Sequence, residues 1–299
     1  MQSLRDIREE IKAINATRQI MLTMKRISSA RIRRAQKQME DGRPFARKMA
    51  VMIDNLRKDI QDESSPIFNS PAYKFFDGAR TGCDSVCLIL ITADKGLCGA
   101  FNTITIREAP KWIKRHDGVE KYVFTIGKKG RDFLRRLKMP RLHSAGELTG
   151  IFPRASYAHA AIIQETVQTL IGQNKICKVD IIYNNFKSVA AQQLISKTFL
   201  PFDFDKIPGE EDLSDFIFEP NMYEIFMALL PRYIGANIYR FLLESQAAEL
   251  AARMNAMEAA AKNAGGIVDG LKLKLNKVRQ ENITNELTEI ISGANALGA

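Results

Sequence analysis

The chain has 299 residues, of which 45% are hydrophobic, enough apolar content for one or two domains with real cores. Its 44 basic residues outnumber 34 acids and leave a net charge of +10, which favours acidic partners without naming them. Apolar runs such as Val86 to Ile91 fall far short of the roughly 20 residues that cross a bilayer, and the charged opening Met1 to Glu10 has no apolar leader segment. Neither a membrane span nor a secretory signal is expected, so any membrane association would come through a partner.

Leu4, Ile7, Ile11 and Ile14 are spaced three, four and three apart, the seam of a coiled-coil helix. The period continues through Met21, Met24 and Ile27 and less cleanly through Ala35, Met39, Met49, Met52 and Leu56, which predicts a first helix within residues 1–62. Gly42 and Pro44 are its strain points, and Pro44 is expected to kink the helix rather than end it. Between Ile11 and Met39 the chain carries Lys12, Arg18, Lys25, Arg26, Arg31, Arg33, Arg34 and Lys37 and no acid, a basic sleeve on that helix. The Ser-, Pro- and Asn-rich stretch from Ser64 to Pro71 ends it.

Residues 75–205 change period. Ser85 to Thr92 reads as an apolar strand, followed by the loop Ala93-Asp94-Lys95-Gly96-Leu97-Cys98-Gly99-Ala100-Phe101-Asn102 and a helical pattern. A second unit repeats the plan, with strand Tyr122 to Ile126, a loop at Gly127 and Gly130, and helix Arg131 to Leu137. Ala155 to Ile171 reads as an amphipathic helix, and Val179 to Tyr183 and Ala190 to Leu200 as strands. Strands alternating with helices predict a small α/β domain with a mainly parallel sheet.

Residues 206–220 form an acidic, irregular connection, with Asp203 and Asp205 just before it and Glu210, Glu211, Asp212 and Asp215 within it. A C-terminal helical region then fills 221–299: Met222 to Leu230 first, and after Pro231 one long helix from Tyr233 to Ala299. Alanine, the best helix former, dominates Ala247 to Ala264 and would let a second helix come close. Leu271, Leu275 and Val278, then Ile283, Leu287 and Ile290, continue an apolar seam, interrupted by Gly265-Gly266 as a close crossing or a slight bend, the alternative being a break between two separate helices. A helix at each end of the chain hides its seam most simply against the other. The expected fold class is therefore α/β, with a long antiparallel coiled coil of the N- and C-terminal helices plus a central α/β domain.

Chemistry is sparse. Cys83, Cys87, Cys98 and Cys177, with His116, His143 and His159, lack the spacing of a zinc site or a disulfide framework, so no metal site is expected. Asp94-Lys95-Gly96-Leu97-Cys98-Gly99 precedes a helix and could seat a phosphate at its N-terminus. It lacks the first glycine of the dinucleotide fingerprint and the Gly-Lys-Ser/Thr ending of a P-loop, so it reads as a structural turn with no cofactor. No catalytic constellation can be assembled, and the chain alone is expected to catalyse nothing. The basic sleeve offers an alternative, a basic arm on nucleic acid, but no aromatic residue for stacking lies between Met1 and Arg43.

Four blocks resemble one family, the gamma subunit of F-type ATP synthase. They are Met24-Lys25-Arg26-Ile27-Ser28-Ser29-Ala30-Arg31, the Thr92 to Asn102 loop, Ala252-Arg253-Met254-Asn255-Ala256-Met257, and the run Asn276 to Ala294. The resemblance covers essentially the whole chain in order. It implies a central rotor shaft whose coiled coil turns inside a ring of three alpha and three beta subunits and couples ion flow to ATP synthesis or hydrolysis. It also implies a Rossmann-like domain that contacts the epsilon subunit and the ring of c subunits, with no bound nucleotide. By the same resemblance, Met24, Lys25 and Arg26 face acidic loops of beta, with Arg31 in the same block, and Arg279, Gln280, Thr284 and Glu286 engage the catalytic subunits. No nucleic acid partner and no direct membrane insertion are implied; the protein would be peripheral on the cytoplasmic face of the cell membrane.

Overall fold

A computed structural model of the chain describes residues 3–56, 62–77, 83–137, 139–202, 219 and 221–297. The acidic connection thus lies, but for Glu219, outside the described residues. The chain divides into two compact units, residues 29–253 and, drawn from both ends, residues 1–28 with 254–299. Two long helices run through both, α1 (Leu4–Asn55) and α5 (Met222–Leu297).

The larger unit is built on five strands, β1 (Val86–Ile91), β2 (Lys121–Ile126), β3 (Leu142–Leu148), β4 (Lys178–Phe186) and β5 (Gln192–Leu200), in the order β3-β2-β1-β4-β5. β1 pairs in parallel with β2 and β4, β2 in parallel with β3, and β5 closes one edge antiparallel to β4. Helices α2 (Phe101–Arg115), α3 (Lys128–Arg136) and α4 (Tyr157–Gly172) make the crossovers.

All six residues of β1 are buried, because both faces of the sheet are covered. Val86, Leu88 and Leu90 meet Ala109, Trp112 and Ile113 of α2 on one face. Cys87, Ile89 and Ile91 lie on the other, in the cluster that takes in Ile163 and Val167 of α4, Met49 and Ile53 of α1, and Phe226, Ile234 and Ile238 of α5. Burial pushes the Cys87 thiol up to about 12.

Three features depart from the sequence reading. Pro231 does not precede the C-terminal helix but lies inside it. An interior proline costs about 3 kcal/mol, yet Leu229, Leu230, Tyr233 and Ile234 around it are all buried, and full burial of one such side chain contributes about 1.5–3 kcal/mol. Packing outweighs propensity. Pro44, by contrast, sits within α1 without ending it, as expected.

The second departure is β3, which was not read as a strand. Its sequence Leu-His-Ser-Ala-Gly-Glu-Leu alternates weakly and its residues are half-buried or exposed, as befits an edge. Gly146 is needed there, because a Cβ would come 2.6 Å from the Phe124 ring. The third is the alanine-rich stretch, which divides between the units: Ala247, Ala248 and Ala251 are buried in the α/β unit, Ala261 and Ala264 in the helix pair.

Where β1 ends, Thr92 ties three elements together. Its hydroxyl donates to the Ile126 carbonyl at 2.9 Å and accepts from the Gly130 amide at 2.9 Å. Gly127 passes so close that a Cβ would lie 2.2 Å from the Thr92 carbonyl oxygen, and its φ is +89°. Gly118, at φ +86°, faces open space. Gly118→Ala is therefore expected to cost only the left-handed conformation, about 1 to 2 kcal/mol, whereas Gly127→Ala adds a backbone clash and is expected to cost about 3 kcal/mol or more. Urea unfolding of both variants measures the difference. In the native chain at pH 8, Cys87 is expected to stay unmodified by iodoacetamide while the half-buried Cys83 and Cys177 react, and all four to react once unfolded; peptide mass mapping separates them.

Candidate functional site: the exposed helix faces and the glycine loop

The start of α1 and the part of α5 that follows residue 254 pair antiparallel. Lys25 Nζ meets Glu258 Oε1 at 2.7 Å, and seven residues earlier Arg18 lies beside Gly265, seven residues later on the other helix. A Cβ on Gly265 would sit 3.6 Å from the Arg18 guanidinium carbon, an ordinary contact, and one on Gly266 would meet nothing. The glycine pair therefore marks neither a close crossing nor a break; α5 continues through it.

The seam holds only as far as a partner exists. Ile7, Met257, Ala261, Ala264 and Val268 are buried, and Leu4, Ile11, Ile14, Leu271, Leu275 and Val278 half-buried. By the register, Leu4 at the start of α1 stands near residue 279 of α5. From Glu281 to Gly293 every residue is exposed, including Ile283 (46%), Leu287 (54%), Ile290 (67%) and Ile291 (60%). The seam read from Ile283 to Ile290 is thus an uncovered apolar face, not a continuation of the pair, because α1 has run out.

The site residues named from the resemblance fall into separate groups. Met24 is exposed and lines, with Ala16, Gln19, Ile20 and Thr23, an open depression of about 420 Å³ on one face of α1. Lys25 is half-buried through its pair with Glu258, whereas Arg26 is exposed. Arg31 is exposed but belongs to the α/β unit. Arg279, Gln280, Thr284 and Glu286 are exposed on the uncovered end of α5, where the Thr284 hydroxyl donates to the Gln280 carbonyl at 2.9 Å. The Met24 group and the Arg279 group are not brought together. About twenty residues of paired helix, about 30 Å, lie between them.

The glycine loop satisfies itself. The Asn102 side chain accepts from the Ala93 amide at 2.9 Å and donates to the Lys95 carbonyl at 3.3 Å, closing the turn. Asp94 accepts from the Lys128 amide at 3.1 Å and the Gly150 amide at 2.8 Å. At the start of α3 the Lys128 amide thus faces the Asp94 carboxylate, while the Lys129 amide donates to the Ala93 carbonyl at 3.2 Å and the Gly130 amide to the Thr92 hydroxyl. Among the described residues no cluster of metal-ligating side chains occurs, and no helix is long and apolar enough to cross a membrane.

A group that the sequence reading missed lies under this loop. Arg253 of α5 donates to the Gly96 carbonyl at 3.1 Å and pairs with Glu249 one turn earlier. Glu249 is 3% exposed, and burial, opposed by Arg253 and Arg31, raises its carboxyl from the ordinary 4.5 to about 7. Cys98 is raised by its own burial and then by the Glu249 charge. A glutamate among alanines gives no periodic signal, so nothing in the spacing could have flagged it.

A family model described as ATP synthase matches residues 3–297. Curated relatives include the ATP synthase gamma chains of Elusimicrobium minutum, 48% identical, and Solibacter usitatus, 36% identical, each match covering 99% of both chains. Among solved structures, the central stalk and c-ring of the Tetrahymena thermophila mitochondrial ATP synthase contains a chain 25% identical with TM-score 0.58, the match covering 81% of this chain and 99% of that one. A chain of the Euglena gracilis mitochondrial enzyme shares the fold at TM-score 0.64 and 21% identity over 98% of this chain and 94% of its own. These relatives give no support to the nucleic-acid alternative for the basic sleeve. With the family model spanning almost its full length and close relatives aligned end to end, the chain belongs to the ATP synthase gamma chain family.

Proposed function

We propose that this gamma chain is the rotor that turns inside a ring of three alpha and three beta subunits, couples ion flow to ATP synthesis or hydrolysis at sites on beta, and itself catalyses nothing. The observation that carries the reading is the end of α5. Thirteen residues, Glu281 to Gly293, are exposed and carry four large apolar side chains that no described residue covers. An apolar helix face of this kind marks a protein interface. A surrounding ring of subunits is what would cover all its sides at once.

In this reading Arg279, Gln280, Thr284 and Glu286 touch the catalytic subunits along that end, and Met24, Lys25, Arg26 and Arg31 face acidic loops of beta. Residues 1–62 and 221–299 supply the shaft, residues 75–205 the Rossmann-like domain, and residues 206–220 the connection. The epsilon subunit and the c-ring would bind at the α/β unit, holding the chain as a peripheral protein on the cytoplasmic face of the membrane. Contacts made by exposed cations contribute only about 0.2 to 1 kcal/mol each, so they can break and re-form as the shaft turns. The two helices differ in sequence, so each beta subunit would meet a different face at each orientation. Differential contact would then bias its open and closed states.

Mixed with alpha and beta subunits, the full chain is expected to co-purify with them and to activate ATP hydrolysis. A chain ending before Asn276 is expected to lose most of that activation. Undiminished activation by the truncated chain, or no assembly with the full one, would overturn the reading. Within the helix pair, Lys25→Glu is expected to cost about 0.2 to 1 kcal/mol of stability, recovered in part by adding Glu258→Lys. A double-mutant cycle in urea measures the coupling.

A further inference from the structure

The glycine loop is fastened to α5 in two ways. Ala93, Cys98 and Phe101 pack on Ala248, with Ala252 beside them, where alanine methyls let the loop come close. Next to this apolar patch, Arg253 donates to the Gly96 carbonyl while paired to Glu249. Glu249 is ionisable yet almost wholly covered. The charged groups that face it come from three elements: Arg253 on α5, Asp94 and Lys95 on the loop, and Arg31 on α1. Cys98, itself 1% exposed, lies on the loop within reach of its charge.

We propose that Glu249 is a proton-operated latch on this loop: with a proton on its carboxyl, residues 94–99 stay seated on α5, and with the proton released to solvent the loop lifts. Covering an ionised carboxylate is more costly than covering the neutral acid. Arg253, Arg31 and Lys95 offset part of that cost, and Asp94 adds to it.

The direction follows from linkage. In the seated state the carboxyl titrates at about 7 instead of the ordinary 4.5. Lifting the loop admits water and moves it back toward the ordinary value. The seated state therefore holds the proton more tightly, and proton uptake favours it. As pH rises from about 4.5 to about 7 the lifted-to-seated ratio grows by at most tenfold per pH unit, and above that window it levels off.

Cys98 reports the state, since it is shielded when the loop is seated. The test is the rate of its alkylation by iodoacetamide in the full chain, assigned by peptide mass and divided at each pH by the rate for the same cysteine in the urea-unfolded chain. The normalised rate is expected to rise about tenfold between pH 5.5 and 7.5 and to stay flat in Glu249→Gln. A flat native profile, or an equal rise in Glu249→Gln, overturns the latch. Should that variant fail to fold, Lys95→Gln at the exposed loop position removes a cation facing the carboxyl and is expected to move the rise to higher pH; an unmoved rise overturns the proposal.

Discussion

An apolar helix face has to be covered, and the way α5 is covered changes along its length. From Leu229 to Ala251 it is buried on nearly all sides in the α/β unit. From Met257 to Val278 one face is covered by the start of α1, and the other faces are open. From Glu281 to Gly293 nothing among the described residues covers it. A helix buried all round reads as uniformly apolar, and a paired helix as a stripe. The single helix therefore has no single pattern, and its three regimes follow from which neighbour is in reach.

The α/β unit depends on the same rule applied to a sheet. β1 carries no polar alternation because helices cover both faces, and its end is fixed by the Thr92 hydroxyl between Ile126 and Gly130. The ends of the parallel strands are the usual place for a ligand in folds of this kind. Here Asp94 and Asn102 take up the loose amides and the loop closes on itself. The ends of β1 and β2 and the turn before α4 are thus tied to one another through the side chains of a single loop.

Much of this was legible in the residues because it depends on local period. The three-four spacing of Leu4, Ile7, Ile11 and Ile14 gave the first helix, and the branched run before Thr92 gave the central strand. Ser85 to Thr92 and Tyr122 to Ile126 lie within one residue of the observed strands. What escaped was set by distant contacts. Pro231 stays helical only because Leu230 and Ile234 are buried against other elements. β3 is a strand because β2 offers it a ladder, not because its own side chains alternate. The seam beyond Val278 looked continuous, and only the position of Leu4 in the register reveals that its partner ends. Of the residues named from the resemblance, exposure and grouping could be placed, but the surfaces they would meet are on other chains.

Magnitudes decide what the uncovered end of α5 contributes to the proposed rotor. Its exposed charges, Arg279 and Glu286 among them, would each add at most about 1 kcal/mol when paired at a wet surface. Burying one of Ile283, Leu287, Ile290 or Ile291 would contribute about 1.5–3 kcal/mol. If the ring buried all four at every angle, the helix would be held firmly but without preference for any orientation. Torque requires the contact energy to vary with angle, and a helix whose large apolar residues Ile283, Leu287, Ile290 and Ile291 share one side supplies that variation. The apolar face would hold the end of the shaft within the ring, and the weaker charged contacts would set how that hold differs from one catalytic subunit to the next.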